Sequence, residues 1–230
     1  MVVNKGVLRP LKNGSGLTIC KSKINNVGRG RCTHTYSKVF KFYQATIKKE
    51  PNITKDVKRI VSENNGTLEG LDFRLKSLSS LHEKLYSREE KIKIDDVKDV
   101  IRYTVIYPPN KLTDGTHAIL DSFKKEGYTL KRLSNTWTEK DATYRGININ
   151  LVNPDGQIFE LQVHTSESFE LKNGELHALY ERKRKLRDKT PLADKLKAEM
   201  AQLSAKLVRP DNIERLENYD VLQIVRRTQP

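Results

Sequence analysis

The sequence is poor in the features that mark disulfide-rich, metal-clustered or membrane-spanning proteins. Its 230 residues include only two cysteines, Cys20 and Cys32. They show neither a disulfide framework nor the spacing of a metal site, so we expect two free thiols. No run of 18 apolar residues is present, which argues against a transmembrane helix, and the first residues lack the pattern of a signal peptide. No internal repeat is visible. We therefore expect a protein without a membrane partner that acts in the cytoplasm of some cell, or one that is delivered by a route that the chain does not encode.

Acidic residues are too few to balance the basic ones. The chain has 43 Lys and Arg against 29 Asp and Glu, which leaves a net charge of +14. Such an excess predicts attraction to polyanions, namely nucleoside polyphosphates, RNA or acidic proteins, and does not choose among them. The mean hydropathy of −0.67 fits a soluble chain that is long enough for one sizeable domain with a continuous core.

Composition and periodicity divide the chain into four segments. They are an irregular basic leader (1–33), N-terminal helices (34–67), a catalytic-type core of strands and helices (68–188), and a C-terminal helix and tail (189–230). Within the second segment, Pro51 is expected to end one helix and Thr54 to cap the next. An apolar run at 221–225 predicts an extra strand or a partner-binding segment.

Five stretches of the core carry the alternating or continuous apolar pattern of strands. They are 71–76, 97–107, 128–137, 147–152 and 159–165. Stretches with helical spacing separate or follow them: one opened by Ser77, then 116–126, the segment from Ser166, and 191–207. The turn at 153–156, Asn-Pro-Asp-Gly, joins the last two strands as an antiparallel hairpin. The sequence therefore predicts an α+β fold with a mixed β-sheet of about five strands flanked by helices.

The last of these strands carries the most informative pattern. Glu160, Gln162 and His164 fall on one face, and the apolar residues beside them fall on the other. A carboxylate, an amide and an imidazole in line predict a site in which Glu160 binds a metal or moves a proton. A half-buried strand with a solvated polar face is the alternative. The hairpin also allows Tyr144, from the preceding loop, to lie beside the same face.

A basic pair, a serine-rich turn and a helix follow one another at 74–86. Helix N-termini bind phosphate through free N–H groups and the helix dipole, and Arg74 and Lys76 would complete such a pocket before Ser77. An ordinary capped helix beside a solvated basic pair is the alternative. Asp99 stands at the start of the most apolar strand, where a carboxylate is either a magnesium ligand or a solvated acid.

In this order, the motifs resemble the synthetase domain of RelA/SpoT-type alarmone synthetases over about residues 68–185. That family transfers a pyrophosphate from ATP to a ribose 3′-hydroxyl, and the resemblance implies its nucleotidyltransferase-like fold. It implies that Asp99 and Glu160 are catalytic and hold Mg²⁺. The family's Asp-x-x-Gly-x-Arg begins here at Asp99, with Arg102 in place of the glycine and Thr104 in place of the arginine. The residues implied to bind ATP are Arg74, Lys76, Ser77, Ser80, Lys84 and Arg102.

The acceptor side of the family site is also represented. The family's Gly-Tyr-Arg-Ser-Ile-His is similar to residues 143–148, although a threonine and an asparagine replace its first and last residues. Its Glu-Ile-Gln-Ile-Arg-Thr is matched from Glu160 onward, with His164 in place of the arginine. Tyr144 would stack on the acceptor base. The residues implied to bind the acceptor are Tyr144, Arg145, Asn148, Gln162 and His177.

The resemblance implies an ATP-dependent pyrophosphokinase that modifies the 3′-hydroxyl of a purine nucleotide, giving a (p)ppGpp- or (p)ppApp-type product. The family's hydrolase domain has no counterpart in this length, which suggests a growth-inhibiting, toxin-like small member. Such a member would act in the cytosol of a target cell after secretion and would be neutralised by an acidic immunity or antitoxin protein. Two alternatives are pyrophosphorylation of the tRNA 3′ end, with the basic helix at 182–187 on the acceptor stem, and a non-catalytic basic RNA-binding module.

Overall fold

The computed structural model of the chain describes residues 29–86, 93–186 and 190–219. The greater part of the predicted leader, and the strand predicted at 221–225, lie outside the described residues. Internal contacts divide the chain into two compact units, Met1–Lys38 and Val39–Pro230. Among the described residues, no helix is both long enough and apolar enough to cross a membrane.

The second unit contains a five-stranded sheet with helices before, between and after its strands. The strands are β1 (Thr67–Glu69), β2 (Arg102–Ile106), β3 (Thr129–Asn135), β4 (Ile147–Val152) and β5 (Ile158–His164). The helices are α1 (Arg29–Glu63), which begins in the first unit, α2 (Leu78–Tyr86), α3 (Pro109–Lys125), α4 (Ser166–Asn173), α5 (Glu175–Arg184) and α6 (Pro191–Ala205). The strand order is β1-β2-β5-β4-β3, with β2 and β5 parallel and the other pairs antiparallel. The predicted mixed sheet and α+β class are confirmed.

One face of the sheet forms the core. The strand residues Tyr103, Leu161 and Ile149 are fully buried in one cluster with Ile53 of α1 and Phe123 of α3. Since side chains alternate along a strand, the neighbouring positions point the other way. That opposite side, called the polar face here, carries aligned pairs across β2, β5 and β4. Its central residues are Arg102, Thr104, Glu160, Gln162, Asn148 and Asn150.

The break predicted at Pro51 was wrong, because α1 runs through it without interruption. A proline inside a helix removes one hydrogen bond and costs about 3 kcal/mol. Ile53, Val57 and Ile60 follow it and are fully buried against the sheet, and each contributes roughly 2 kcal/mol. Burial therefore outweighs the local cost. Thr54, predicted as a cap, instead lies within α1. The helix also starts inside the stretch predicted to be irregular.

The strand predicted at 71–76 is not formed. β1 ends before Gly70, whose φ of 64° leads the chain into a 3-10 turn at Leu71–Phe73. Arg74 then has helical angles, φ −63° and ψ −23°, and only Leu75 bridges to Ile101. The strand alternation that would place the side chains of Arg74 and Lys76 on one face is therefore interrupted at Arg74.

Other predicted elements agree in place and differ in length. β2 is confined to Arg102–Ile106 within the predicted 97–107. α3 begins at Pro109, ahead of the predicted 116, since proline suits the first turn of a helix. The hairpin at 153–156 is confirmed, with Gly156 at φ 79°.

Candidate active site

Asp99 is held between two lysines just before β2. Its carboxylate accepts a hydrogen bond from Lys84 Nζ at 2.7 Å and lies 3.3 Å from Lys76 Nζ. Lys76 is brought there by its backbone N–H, which donates to the carbonyl of Val100. Leu81, buried among the apolar residues near Val100, anchors the helix that carries Lys84. Burial alone would raise the pKa of Asp99, but the Lys84 hydrogen bond and the charge of Lys76 outweigh it and lower that pKa.

The start of α2 is built as the sequence predicted. Ser77 caps the helix, because its Oγ accepts a hydrogen bond from the backbone N–H of Ser80 at 3.1 Å. The Ser77 hydroxyl also pairs with the hydroxyls of Ser79 and Ser80, and all three serines are exposed. Lys84 lies four residues after Ser80 and shares its side of the helix. A helix N-terminus and two lysines thus adjoin Asp99.

Glu160 occupies the centre of the polar face. It lies opposite Arg102 of β2 and Asn150 of β4. Burial raises the pKa of its carboxyl, Arg102 opposes that rise, and the charge of Asp99 adds to it. The charge of Asp99 thus acts on Glu160, and a single site shared by the two carboxylates stays a prediction.

Besides Arg102, Lys172 is a cation near Glu160 that the sequence did not predict. Lys172 of α4 donates to Gln162 Oε1 at 2.6 Å, and Gln162 Nε2 donates to Glu160 Oε2 at 3.1 Å. Burial and then the charge of Arg102 lower the pKa of Lys172 to about 8. Lys172 follows Ser168 by four residues, and both lie on the side of α4 that faces β5, but the sequence alone does not mark that side.

Tyr144 is fixed beside β5 by its hydroxyl. That oxygen lies 2.8 Å from His164 Nε2 and donates weakly to Asn148 at 3.3 Å. A Cβ at Gly146 would lie 2.5 Å from the Tyr144 hydroxyl oxygen, so only glycine allows this approach. His164 is fully buried, and its Nδ1 pairs with Ser168 Oγ at 3.0 Å. Burial and then the charge of Glu160 raise the pKa of Tyr144.

Two predicted site residues hydrogen-bond to groups outside the predicted nucleotide contacts, and a third is exposed. Arg74 Nε donates to the carboxylate of Glu50 at 2.5 Å, because the helical angles at Arg74 turn it toward α1. Arg145 donates to the carbonyls of Thr136 and Glu139, at 2.6 and 2.7 Å, and so braces its own loop. His177 is exposed on α5. The structure gives the first two side chains a structural role.

The donor set at the site fits magnesium delivered with a nucleotide. Within the described residues, no three His, Cys, Asp or Glu side chains converge as a metal cluster. Magnesium, however, is commonly bound by one or two carboxylates together with substrate phosphates and water. Asp99 and Glu160 supply two carboxylates, and the charge of Asp99 disfavours ionisation of Glu160. A divalent cation shared between them would relieve that repulsion.

Comparison with solved structures places the fold in a known class. The chain is similar to the small alarmone synthetase 1 from Bacillus subtilis, with a TM-score of 0.50 and 15% identity over 80% of this chain and 92% of the other. It is also similar to the Type VI effector Tas1, solved in complex with its immunity protein, with a TM-score of 0.52 and 17% identity over 73% of this chain and 94% of the other. No family model and no curated protein sequence matches the chain. At these identities the likeness establishes the fold, and the activity has to be argued from the site.

Proposed function

We propose that the protein is an ATP-dependent pyrophosphokinase that transfers the β,γ-pyrophosphate of ATP to the ribose 3′-hydroxyl of a purine nucleotide. The observation that carries this proposal is the cluster in which Lys84 Nζ and Lys76 Nζ lie 2.7 and 3.3 Å from the carboxylate of Asp99, together with the partly buried carboxylate of Glu160 on the polar face. The fold shared with a small alarmone synthetase supports the same reaction. The product would be of the (p)ppGpp or (p)ppApp type.

The chemistry asks the protein mainly to position two nucleotides and to neutralise charge. The acceptor 3′-oxygen bonds to the β-phosphorus of ATP, the bond between the α- and β-phosphates breaks, and AMP leaves. Lys76, Lys84 and the N-terminus of α2 would bind the phosphates. Magnesium, when bound by Asp99 and Glu160, supplies charge neutralisation at these phosphates.

Glu160 is the group proposed to accept the proton of the 3′-hydroxyl. A general base works best when its pKa lies closer to the working pH, and burial raises the pKa of this carboxyl. Arg102, on the neighbouring strand, keeps a positive charge beside it. The charge of Arg102 favours an ionised carboxylate when substrate binds, and burial favours a carboxyl group that keeps the proton after attack.

The acceptor is proposed to lie along the polar face toward β4. Tyr144 would stack on its base, since its hydroxyl is fixed by His164 and the residue is partly exposed. Asn148 of β4 offers a polar side chain for the same molecule, whereas the amide of Gln162, aligned with it on β5, is held by Lys172 and Glu160. The basic excess would raise the local concentration of nucleotides.

We also propose a growth-inhibiting role for this activity, in the cytosol of a target cell, with an acidic immunity protein as partner. The likeness to the effector Tas1, whose structure includes an immunity protein, supports this part of the proposal. Exposed Arg182 and Lys185, at the end of α5, favour a second candidate function, transfer to the 3′ end of tRNA.

One assay decides among these functions. The purified protein is incubated with Mg²⁺, γ-labelled ATP and, separately, GDP, GTP, ADP, unlabelled ATP or tRNA, and products are separated by chromatography. Label on a free nucleotide, with release of AMP, supports the proposal. Label on tRNA alone supports the second function, and RNA binding without transfer supports a non-catalytic module.

A matched pair of variants tests the assignment of Glu160. Glu160→Gln is expected to abolish transfer while its circular dichroism and urea midpoint stay native-like. Glu199→Gln, which makes the same change at an exposed position of α6, is expected to retain wild-type transfer. Wild-type transfer activity in the Glu160→Gln variant would contradict the assignment of Glu160 as the residue that accepts the proton.

A further inference from the structure

We infer that Lys172 is a positioning residue for this reaction, an inference that rests on the proposed function. It fixes the orientation of the Gln162 amide, which in turn holds the carboxylate of Glu160. The three side chains form one chain of hydrogen bonds from α4 to the centre of the polar face.

The side chains of Lys172 and Gln162 differ in the hydrogen bonds that they can donate and accept. An ammonium group only donates hydrogen bonds, so the atom of Gln162 that lies 2.6 Å from Lys172 Nζ must be the carbonyl oxygen. The amide nitrogen is then the end that faces Glu160, where it donates to Oε2 at 3.1 Å. A glutamine rotated by half a turn would place its oxygen against the carboxylate, and the two acceptors would repel each other. Lys172 therefore excludes the unproductive rotamer.

Lys172 is itself held in place by its helix. Thr165 and Ser168 form a reciprocal capping box at the start of α4, which fixes the helix relative to the end of β5. The ammonium group lies 5.6 Å from the centre of the Phe169 ring, a distance at which an aromatic face attracts a cation. Lys172 therefore hydrogen-bonds directly to the Gln162 amide and is linked to the Glu160 carboxylate only through that amide.

The arrangement leaves one oxygen of Glu160 for the reaction. Oε2 accepts from Gln162, so the carboxylate cannot rotate freely, and the other oxygen is available to a metal ion or to the 3′-hydroxyl. Gln162 is almost fully buried between the neighbouring strands, which limits its own movement to rotation of the amide. A displacement of about 1 Å at such a group lowers the rate by roughly 100-fold.

The test compares Lys172→Met, Lys172→Arg, Gln162→Met and the double variant Lys172→Met/Gln162→Met. Lys172→Met is expected to lower kcat by roughly 10- to 100-fold with unchanged KM for both nucleotides. Lys172→Arg, which also only donates, is expected to recover most of kcat. The double variant is expected to be no slower than Gln162→Met, because both changes break the same chain. Lys195→Met, which removes one positive charge from an exposed position of α6, serves as the control with wild-type kinetics.

A second readout does not depend on activity. The side-chain amide protons of Gln162, followed by ¹⁵N NMR, are expected to shift and to exchange faster with water in Lys172→Met but not in Lys172→Arg. Unchanged Gln162 signals in Lys172→Met would overturn the inference. A raised KM for a nucleotide at unchanged kcat would also overturn it, because Lys172 would then contact substrate directly.

The two hypotheses fail in different ways. If the wild type transfers nothing to any acceptor while Lys172→Met still alters the Gln162 signals, the proposed function fails and the Lys172–Gln162 coupling stands as structure alone. If the wild type is active and Lys172→Met is equally active, the inference about Lys172 fails alone. Should Lys172→Met not fold, Lys172→Arg and Gln162→Met still give the comparison.

Discussion

Acidification below pH 6.5 is expected to destabilise the fold through His164. This side chain is fully buried, and burial, followed by the charge of Lys172, lowers its pKa well below the ordinary 6.5. In the unfolded chain the imidazole binds a proton near pH 6.5, whereas in the folded chain it does not. Above pH 6.5 the imidazole is neutral in both states, so His164 does not lower the free energy of unfolding. As the pH falls from 6.5 toward the folded-state pKa, only the unfolded chain gains the proton, and the free energy of unfolding decreases.

The size of the effect follows from linkage. Each pH unit below the ordinary pKa costs about 1.4 kcal/mol per group, so His164 would cost roughly 2 kcal/mol at pH 5 relative to pH 8. Protonation would also turn both ring nitrogens into donors, against the hydroxyls of Ser168 and Tyr144. Both hydroxyl oxygens can accept these hydrogen bonds, and the Tyr144 hydroxyl can still donate to Asn148 Oδ1, so the cost lies mainly in burying the charge.

The measurement is urea unfolding of the wild type and His164→Gln at several pH values between 8 and 5. His164→Gln is expected to be less stable at pH 8 and to show a shallower decline toward pH 5, by roughly 2 kcal/mol over that range. His177→Gln, at an exposed position of α5, controls for loss of a histidine and is expected to retain the wild-type decline. Parallel curves for His164→Gln and the wild type would refute the argument.

Two further predictions concern the acceptor loop and the displaced arginine. Gly146→Ala is expected to cost roughly 1–3 kcal/mol of stability, because the new Cβ would lie 2.5 Å from the Tyr144 hydroxyl oxygen. Like Tyr144→Ala, it is expected to weaken use of the acceptor more than binding of ATP. Titration of each nucleotide checks this, and an equal loss for both nucleotides counts against stacking by Tyr144. Arg74→Met is expected to lower the free energy of unfolding by roughly 2 kcal/mol, since it leaves the Glu50 carboxylate, which is only 6% exposed, without its partner. The KM for ATP is expected to stay unchanged. A raised KM for ATP at unchanged stability would instead indicate that Arg74 binds ATP.

The sheet and its polar face were predictable because strand alternation is a local property of the sequence. Alternation at 159–165 separates Glu160 and Gln162 from the buried Phe159 and Leu161 before any tertiary contact is known. The hairpin turn then fixes which strand lies beside them. Local pattern was therefore sufficient wherever the backbone stayed regular.

Where the prediction failed, a tertiary contact or a single backbone angle decided the outcome. Burial of Ile53 and its neighbours carries α1 through Pro51, and no local rule contains that burial. The positive φ of Gly70 and the helical angles of Arg74 separate two basic residues that alternation had paired. Lys172 was missed because its partner, Gln162, is on another element. Contacts between elements are the part that one sequence does not display.

The parallel pairing of β2 with β5 also bears on when the site can exist. β4 and β5 are joined by a tight hairpin, so they can meet early, but β2 finds β5 only after α3, β3 and β4 have been traversed. Closing such a long loop is slow compared with local steps of folding. Arg102 of β2 and Glu160 of β5, which are paired across the two strands, thus come together only when the whole topology is complete. A nascent, truncated or unfolded chain would therefore lack the proposed transfer activity.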